Sequence, residues 1–313
     1  MFQIFKVFLY DFKDTIHLMN WYLSSTEIEI LQDIMKNKRS ISQLAEGTGL
    51  SLPTISLAVK HLYELGFISK IRKGKIEYVS ISDEEIGRNF KAFVTQNPNQ
   101  NPETILKGHG LIILSVCTGK GSSLKEIQYR TGLSRSSITR YLNNWRSTGI
   151  LWKEGHGGKI RISKNYPDLE IFLRSYSKFR MEIMVRSRIS RPTIIFNDGD
   201  TLFFSTEEEI QTDNMIQPAG STRLAQSGFD VVTDSNYFQF SPGKEVIPIP
   251  EAIIQSIRSD VMNPRPRKLL EEYLKGQDAD VEQLMEYARK YSIESIIGKE
   301  IRKYGKEEAV QEG

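Results

Sequence analysis

The chain has 313 residues, 39% of them hydrophobic and 26% charged, which is the composition of a soluble globular protein of two or three domains and excludes a disordered or fibrous one. Its formal net charge of +3 hides a division: residues 120–164 hold ten Lys or Arg against Glu126 and Glu154, whereas acidic residues are in excess from Asp200 onward. Such asymmetry points to a front half that faces a polyanion and a back half with another task. The single cysteine, Cys117, excludes an intramolecular disulfide and a cysteine-based zinc cage. The histidines, His17, His61, His109 and His156, lack the i, i+4 spacing that puts two ligands on one helix face.

Residues 1–24 form an apolar N-terminal extension. Asp11, Lys13 and Asp14 interrupt it, and no basic start or small-residue cleavage site accompanies it. It therefore reads as a packing segment or dimerisation arm, neither a signal peptide nor a bilayer span; Met19 stays open as an alternative start. Cytoplasmic placement in a prokaryotic cell is the resulting expectation.

From residue 25 the periodicity predicts three helices and a hairpin. "STEIEILQDIMKN" lines up Ile28, Leu31 and Ile34 or Met35 behind a Ser/Thr start, and "SISQLAEGTGL" places Ile41, Leu44 and Ala45 inward before Gly47 and Gly49 break it. Ser51 caps a third helix with Pro53 in its first turn. That helix buries Ile55, Val59 and Leu62 and shows Thr54, Ser56, Lys60 and His61 outward. Two strands follow, joined by a basic turn at Arg72, Lys73, Gly74 and Lys75. The order of three helices and a hairpin is that of a winged helix-turn-helix.

The plan then repeats. "TGLSLPTIS" at residue 48 returns as "TGLSRSSIT" at residue 131, so "GHGLIILSVCTG", "SLKEIQYRTG" and "SRSSITRYLNNWRSTG" become a second set of three helices. "ILWKEG" and "GKIRIS" become a second wing around His156, Gly157 and Gly158. Ile138, Leu142 and Trp145 form the buried stripe of the third helix, which puts Ser136, Arg140 and Asn143 on its opposite face. Between the copies, "DEEIGRNFKAFVTQ" reads as a helix with Ile86 and Phe90 aligned with Phe93 or Val94. "NPNQNP" reads as a linker without regular structure. After them, "PDLEIFLRSYSKFRMEIMVRSRI" is a long amphipathic helix that either packs on its own domain or joins subunits.

From Ser190 the character changes. Asp198-Gly199 in "TIIFNDGDTLFFS" marks a hairpin, "FDVVT" and "YFQFS" suggest two more strands, and four helical stretches follow from Pro250. The predicted fold is mostly α with small β elements: an extension (1–24), a first winged helix-turn-helix domain (25–96), a linker (97–107), a second with its long C-terminal helix (108–190), and a small α+β domain (191–313) for sensing or protein contact. Helices 83–96 and 167–190 are the candidate homodimer surfaces, and a protein or a small molecule is the candidate partner of the C-terminal domain.

"EGTGLSLPTIS" and "RTGLSRSSIT" resemble the turn and recognition-helix start of the winged helix-turn-helix regulators named after the multiple-antibiotic-resistance and arsenical-resistance repressors, over about residues 25–82 and 108–163. The resemblance implies that the third helix enters the major groove of duplex DNA and that the wing meets phosphate or minor groove. It singles out Arg135, Ser136, Thr139, Arg140 and Asn143 in the second copy, and Thr54, Ser56, Lys60 and His61 in the first. Arg72, Lys73 and Lys75 of one wing and Lys159 and Arg161 of the other suit phosphate. Arginine matches guanine in a bidentate contact and asparagine matches adenine, which supports the same residues on chemical grounds. A solvated basic face, or a winged helix used for protein contact, is the alternative. The C-terminal helices, with "LMEYARKYSIESII", loosely resemble the tail of abortive-infection type antitoxins, single-winged-helix proteins that repress their own operon. No phosphate-loop, dinucleotide or nucleophile-elbow motif occurs; the two carboxylates of "NDGD" have the chemistry to hold a cation, yet hairpin-turn chemistry explains Asp198 and Gly199. The expectation is a DNA-binding regulator and no enzyme, with no cofactor or metal.

Overall fold

Serine caps set the starts of the first three helices. Ser24 precedes α1 (Ser25–Ile34) and Ser40 precedes α2 (Ile41–Thr48), each in a reciprocal capping box with Glu27 or Gln43, and Ser51 caps α3 (Leu52–Glu64). The structure, a computed structural model, describes residues 21–153, 158–231, 233–241, 246–276 and 279–303. It divides into two compact units, Met1–Arg180 and Met181–Gly313.

In the first unit, α2 ends at Gly49, whose φ of 69° is the left-handed conformation that lets the chain turn into α3. β2 (Ile68–Lys73) and β3 (Ile76–Ile81) pair antiparallel, and the short β1 (Arg39–Ser40) joins the other edge of β3. Next comes α4 (Glu85–Gln96), which buries Ile86, Phe90 and Phe93. The stretch expected to be an unstructured linker contains a helix, α5 (Pro102–Leu106), with Ile105 and Leu106 buried. Its reason was in the sequence: Asn101 accepts the Glu103 N–H at 2.9 Å as N-cap, and Pro102 suits a first helical position.

A second series follows: α6 (Gly110–Val116), α7 (Leu124–Thr131), α8 (Arg135–Ser147), β4 (Leu151–Lys153) and β5 (Ile160–Ile162). α7 and α8 begin 83 residues after α2 and α3, with Gly132 at φ 68° in the turn and Ser134 as the cap. Ser122 bridges to Ile160 as β1 pairs with β3, its N–H donating to the Ile160 carbonyl at 3.0 Å.

The long helix α9 (Pro167–Arg186) joins the two series. Phe172 stacks on Phe93 at 6.0 Å and meets Phe90 and Phe67 edge-on or tilted, all from the first series. Two residues earlier, Glu170 accepts the Gly119 N–H of the second series at 3.0 Å. Tyr176 donates to the Trp21 carbonyl at 2.8 Å, and Leu23, fully buried, accepts the Gly108 N–H at 2.8 Å. The apolar faces of α4 and of the first part of α9, both candidate homodimer surfaces from the sequence, therefore pack on each other within one chain. Of the N-terminal extension, Trp21 to Ser24 are structured in this way; the segment read as a dimerisation arm lies otherwise outside the described residues, as do His156 and Gly157.

The second unit is built on a four-stranded antiparallel sheet in the order β6-β7-β9-β8: β6 (Thr193–Asn197), β7 (Leu202–Thr206), β8 (Ile216–Pro218) and β9 (Asn236–Phe240). Asp198 accepts the N–H groups of Asp200 and Thr201 at 2.9 and 2.7 Å, and Gly199 has φ 90°, so the Asp-Gly turn is of the expected kind. "FDVVT" was expected as a strand; none of its described residues is one. Phe229 instead follows the end of α10 (Gly220–Gln226), its N–H bonded to the Leu224 carbonyl, and with Val231 packs against the core as an apolar anchor. The strand there is β8, whose three residues end in Pro218.

Four more helices, α11 (Ile249–Ser259), α12 (Pro264–Lys275), α13 (Val281–Lys290) and α14 (Glu294–Lys303), complete the unit. Their apolar faces bury Ile253, Ile257, Leu270, Leu284 and Ile297. Within this core Glu251 accepts from Lys290 at 2.9 Å and from the Tyr291 hydroxyl at 2.8 Å, while Gln255 Nε2 donates to Gln239 at 2.6 Å. A buried carboxylate is tolerated only with such partners. Among the described residues no helix is long and apolar enough to cross a membrane.

Candidate nucleic-acid interface

α3 is amphipathic by spacing. Ile55, Ala58, Val59 and Leu62 face the core, which leaves Thr54, Ser56 and Lys60 exposed. The Thr54 hydroxyl is hydrogen-bonded to the cap residue Ser51 at 2.8 Å, and Lys60 reaches Glu64 one turn on at 3.8 Å. His61 departs from the expectation. It turns back from the outer face, and its Nδ1 lies 2.5 Å from Oε1 of Glu27 in α1. Burial by itself would raise the Glu27 carboxyl, but hydrogen bonds from His61 and Ser24 outweigh it and hold the group below its ordinary value. Sequence spacing placed His61 outward with Lys60; the carboxylate that draws it inward comes from a different helix.

The first wing carries its cations at the tip. Arg72, Lys73 and Lys75 are exposed around Gly74, whose φ is 63°, and Arg72 donates to the Gly74 carbonyl at 3.2 Å. Lys70, nearer the helix, places its ammonium 5.2 Å from the Tyr63 ring centre.

α8 follows the same construction with different chemistry. Ile138, Leu142 and Trp145 are buried, and Arg135, Ser136, Thr139, Arg140 and Asn143 are all exposed on the outward side, with Arg146 beyond them. Ser134 accepts the Ser137 N–H at 3.2 Å, and its hydroxyl is within 3.0 Å of that of Ser136. The Arg140 guanidinium lies 5.7 Å from the Tyr141 ring centre, a cation–π contact with its neighbour in the helix. Just before β5, Lys159 is exposed. Arg161 was expected beside it as a phosphate contact. It sits in the strand body, half-buried, 5.9 Å over the Trp152 ring, because alternation along β5 puts it on the face that Trp152 covers. Trp152 itself, partly exposed on β4, was not singled out from the sequence.

Both third helices thus present an outward face behind a left-handed Gly turn and a serine cap, and each is followed by an antiparallel pair of strands. Residues 24–70 match the bacterial regulatory protein arsR family. The match spans α1, α2, α3 and the start of β2, and marks this region as a helix-turn-helix of the type that binds DNA and regulates transcription. No curated protein matches the chain. Among the described residues no group of His, Cys, Asp or Glu is arranged to hold a metal ion.

Proposed function

We propose that the chain regulates transcription by binding duplex DNA through two winged helix-turn-helix domains in tandem, α1 to β3 and α6 to β5, acting as a covalent pseudo-dimer. One observation carries the reading: the region that matches the arsR family is followed by a second set of elements in the same order, in which α7, α8 and β4 begin 83 residues after α2, α3 and β2, and the exposed face of its third helix holds Arg135, Ser136, Thr139, Arg140 and Asn143. Phosphate neutralisation by the exposed cations supplies affinity, and the α8 side chains supply preference through guanine and adenine edges. Phe172 and Glu170 of α9, each holding one series, fix the spacing of the two third helices before DNA arrives, so the ordering cost of the second contact is already met. The acidic second unit is left for sensing or protein contact.

The test is selection of bound fragments from random duplex DNA with the full chain, followed by titration between about 50 and 200 mM salt. A shared motif and an affinity that falls steeply with salt are expected. Failure to enrich any duplex, or salt-independent binding, refutes the proposal.

A further inference from the structure

The two third helices superpose in sequence register at an offset of 83 residues, and the register exposes a substitution pattern. The three arginines of α8, Arg135, Arg140 and Arg146, stand where α3 has Leu52, Leu57 and Tyr63. These are not core residues that drifted outward: Leu57 is 69% exposed, Tyr63 54% and Leu52 52%. Leu57 points directly away from the buried stripe of Ile55, Val59 and Leu62. Single exposed leucines are ordinary. Apolar residues at each station where the sister helix is cationic make a matched exchange of one recognition chemistry for another.

We propose that the first winged helix reads thymine: Leu57, with Leu52 behind it, packs against thymine C5-methyl groups in the major groove, while α8 reads guanine and adenine. The inference rests on the DNA-binding reading above. In the major groove the thymine methyl is the apolar feature, and it takes an aliphatic partner as guanine takes arginine. Charge complementarity favours DNA over a protein as the occupant of this face. The exposed cations of the neighbouring wing, Arg72, Lys73 and Lys75, match phosphate, and Ser56 and Thr54 beside the leucines are small enough to let the helix approach the base edges. A composite site follows, one segment rich in thymine and the other in guanine and adenine.

The experiment uses the full chain and a duplex enriched from random sequence, with each thymine replaced in turn by uracil, which lacks only the methyl. Loss of a buried methyl should weaken binding about fourfold. That loss should appear at one cluster of positions and vanish in Leu57→Ala. Leu57→Arg should abolish uracil sensitivity and shift preference at the cluster toward guanine. Both substitutions are at an exposed position, so an unchanged melting curve is expected and shows that the variants are folded. Uracil without effect at every position, with duplex binding and its salt dependence intact, overturns the thymine assignment and leaves the regulator reading standing. Absence of duplex binding overturns both. If Leu57→Ala changes the oligomeric state and leaves DNA preference alone, the face is a protein contact and the inference fails.

Discussion

His61 Nδ1 lies 2.5 Å from Oε1 of Glu27, a carboxylate that also accepts the Ser24 N–H at 2.6 Å. One buried group therefore ties the third helix of the first winged helix to the first helix and caps that helix at the same time. Glu27→Gln keeps the shape and removes the charge, and should cost about 1 to 3 kcal/mol at neutral pH, the range for charge-assisted hydrogen bonds. The folded-state value of Glu27 is lowered from 4.5, so its stabilisation is complete above that value and fades as the pH falls through the folded-state value. Urea denaturation of both proteins should give a gap at pH 7 that narrows toward pH 3. A gap that widens in acid contradicts the assignment.

Phe172 is the contact through which α9 holds the first series, stacked on Phe93 and edge-on to Phe90. Phe172→Ala should destabilise the first unit by about 3 to 5 kcal/mol. It should also weaken DNA binding with little change in base preference, since the loss falls on the fixed spacing of α3 and α8. Denaturation midpoints read the first effect and titration of a preferred and a scrambled duplex reads the second. A variant as stable as the parent counts against α9 as the joining element.

Cys117 closes α6 with its thiol fully buried, and burial pushes its pKa up to about 12. Alkylation by iodoacetamide at pH 8 should be negligible in the native protein and complete in denaturant. Rapid native labelling at that pH means the second series opens locally.

The helix-turn-helix of residues 24–70 was legible because its signals are local: a serine cap, a Gly turn and an apolar stripe lie close together in sequence, and Gly49 and Gly132 are left-handed turns at the same place in each series. Linkage between the two series was not legible. Phe172 meets Phe67, Phe90 and Phe93 across many residues of sequence, and periodicity says that such faces are buried without saying against what. His61 shows the same limit at the site, removed from the outer face by Glu27, a partner on another helix. In the second unit Phe229 and Val231 alternate like a strand yet serve as anchors after α10. β8 is too short, and ends in a proline, to announce itself. The exchange of Arg140 for Leu57 was present in the sequence all along; periodicity placed Arg140 outward, and burial was needed to show that Leu57 is outward too.

Arg140 and Lys60 divide the proposed DNA contact by chemistry. Arg140 lies outward on α8 with its guanidinium 5.7 Å from the Tyr141 ring centre, a planar fork whose donors match a guanine edge. Lys60 is a point charge on a long stem, exposed on α3 and drawn toward Glu64 at 3.8 Å, with nothing to fix it on a single base. Arg140→Ala should then cost about 1 to 3 kcal/mol on the preferred duplex and relax preference at one base position, the scale of a lost bidentate contact. Lys60→Ala should weaken binding to all duplexes about equally and reduce the slope of log affinity against log salt by about one, the mark of one phosphate contact. The Glu64 partner makes the second effect smaller than a free lysine would give, because part of the charge is already neutralised in the unbound protein. Titration of both variants against the preferred and a scrambled duplex at several salt concentrations separates the roles. Altered base preference in Lys60→Ala, with preference intact in Arg140→Ala, reverses the assignment of base reading between the two helices.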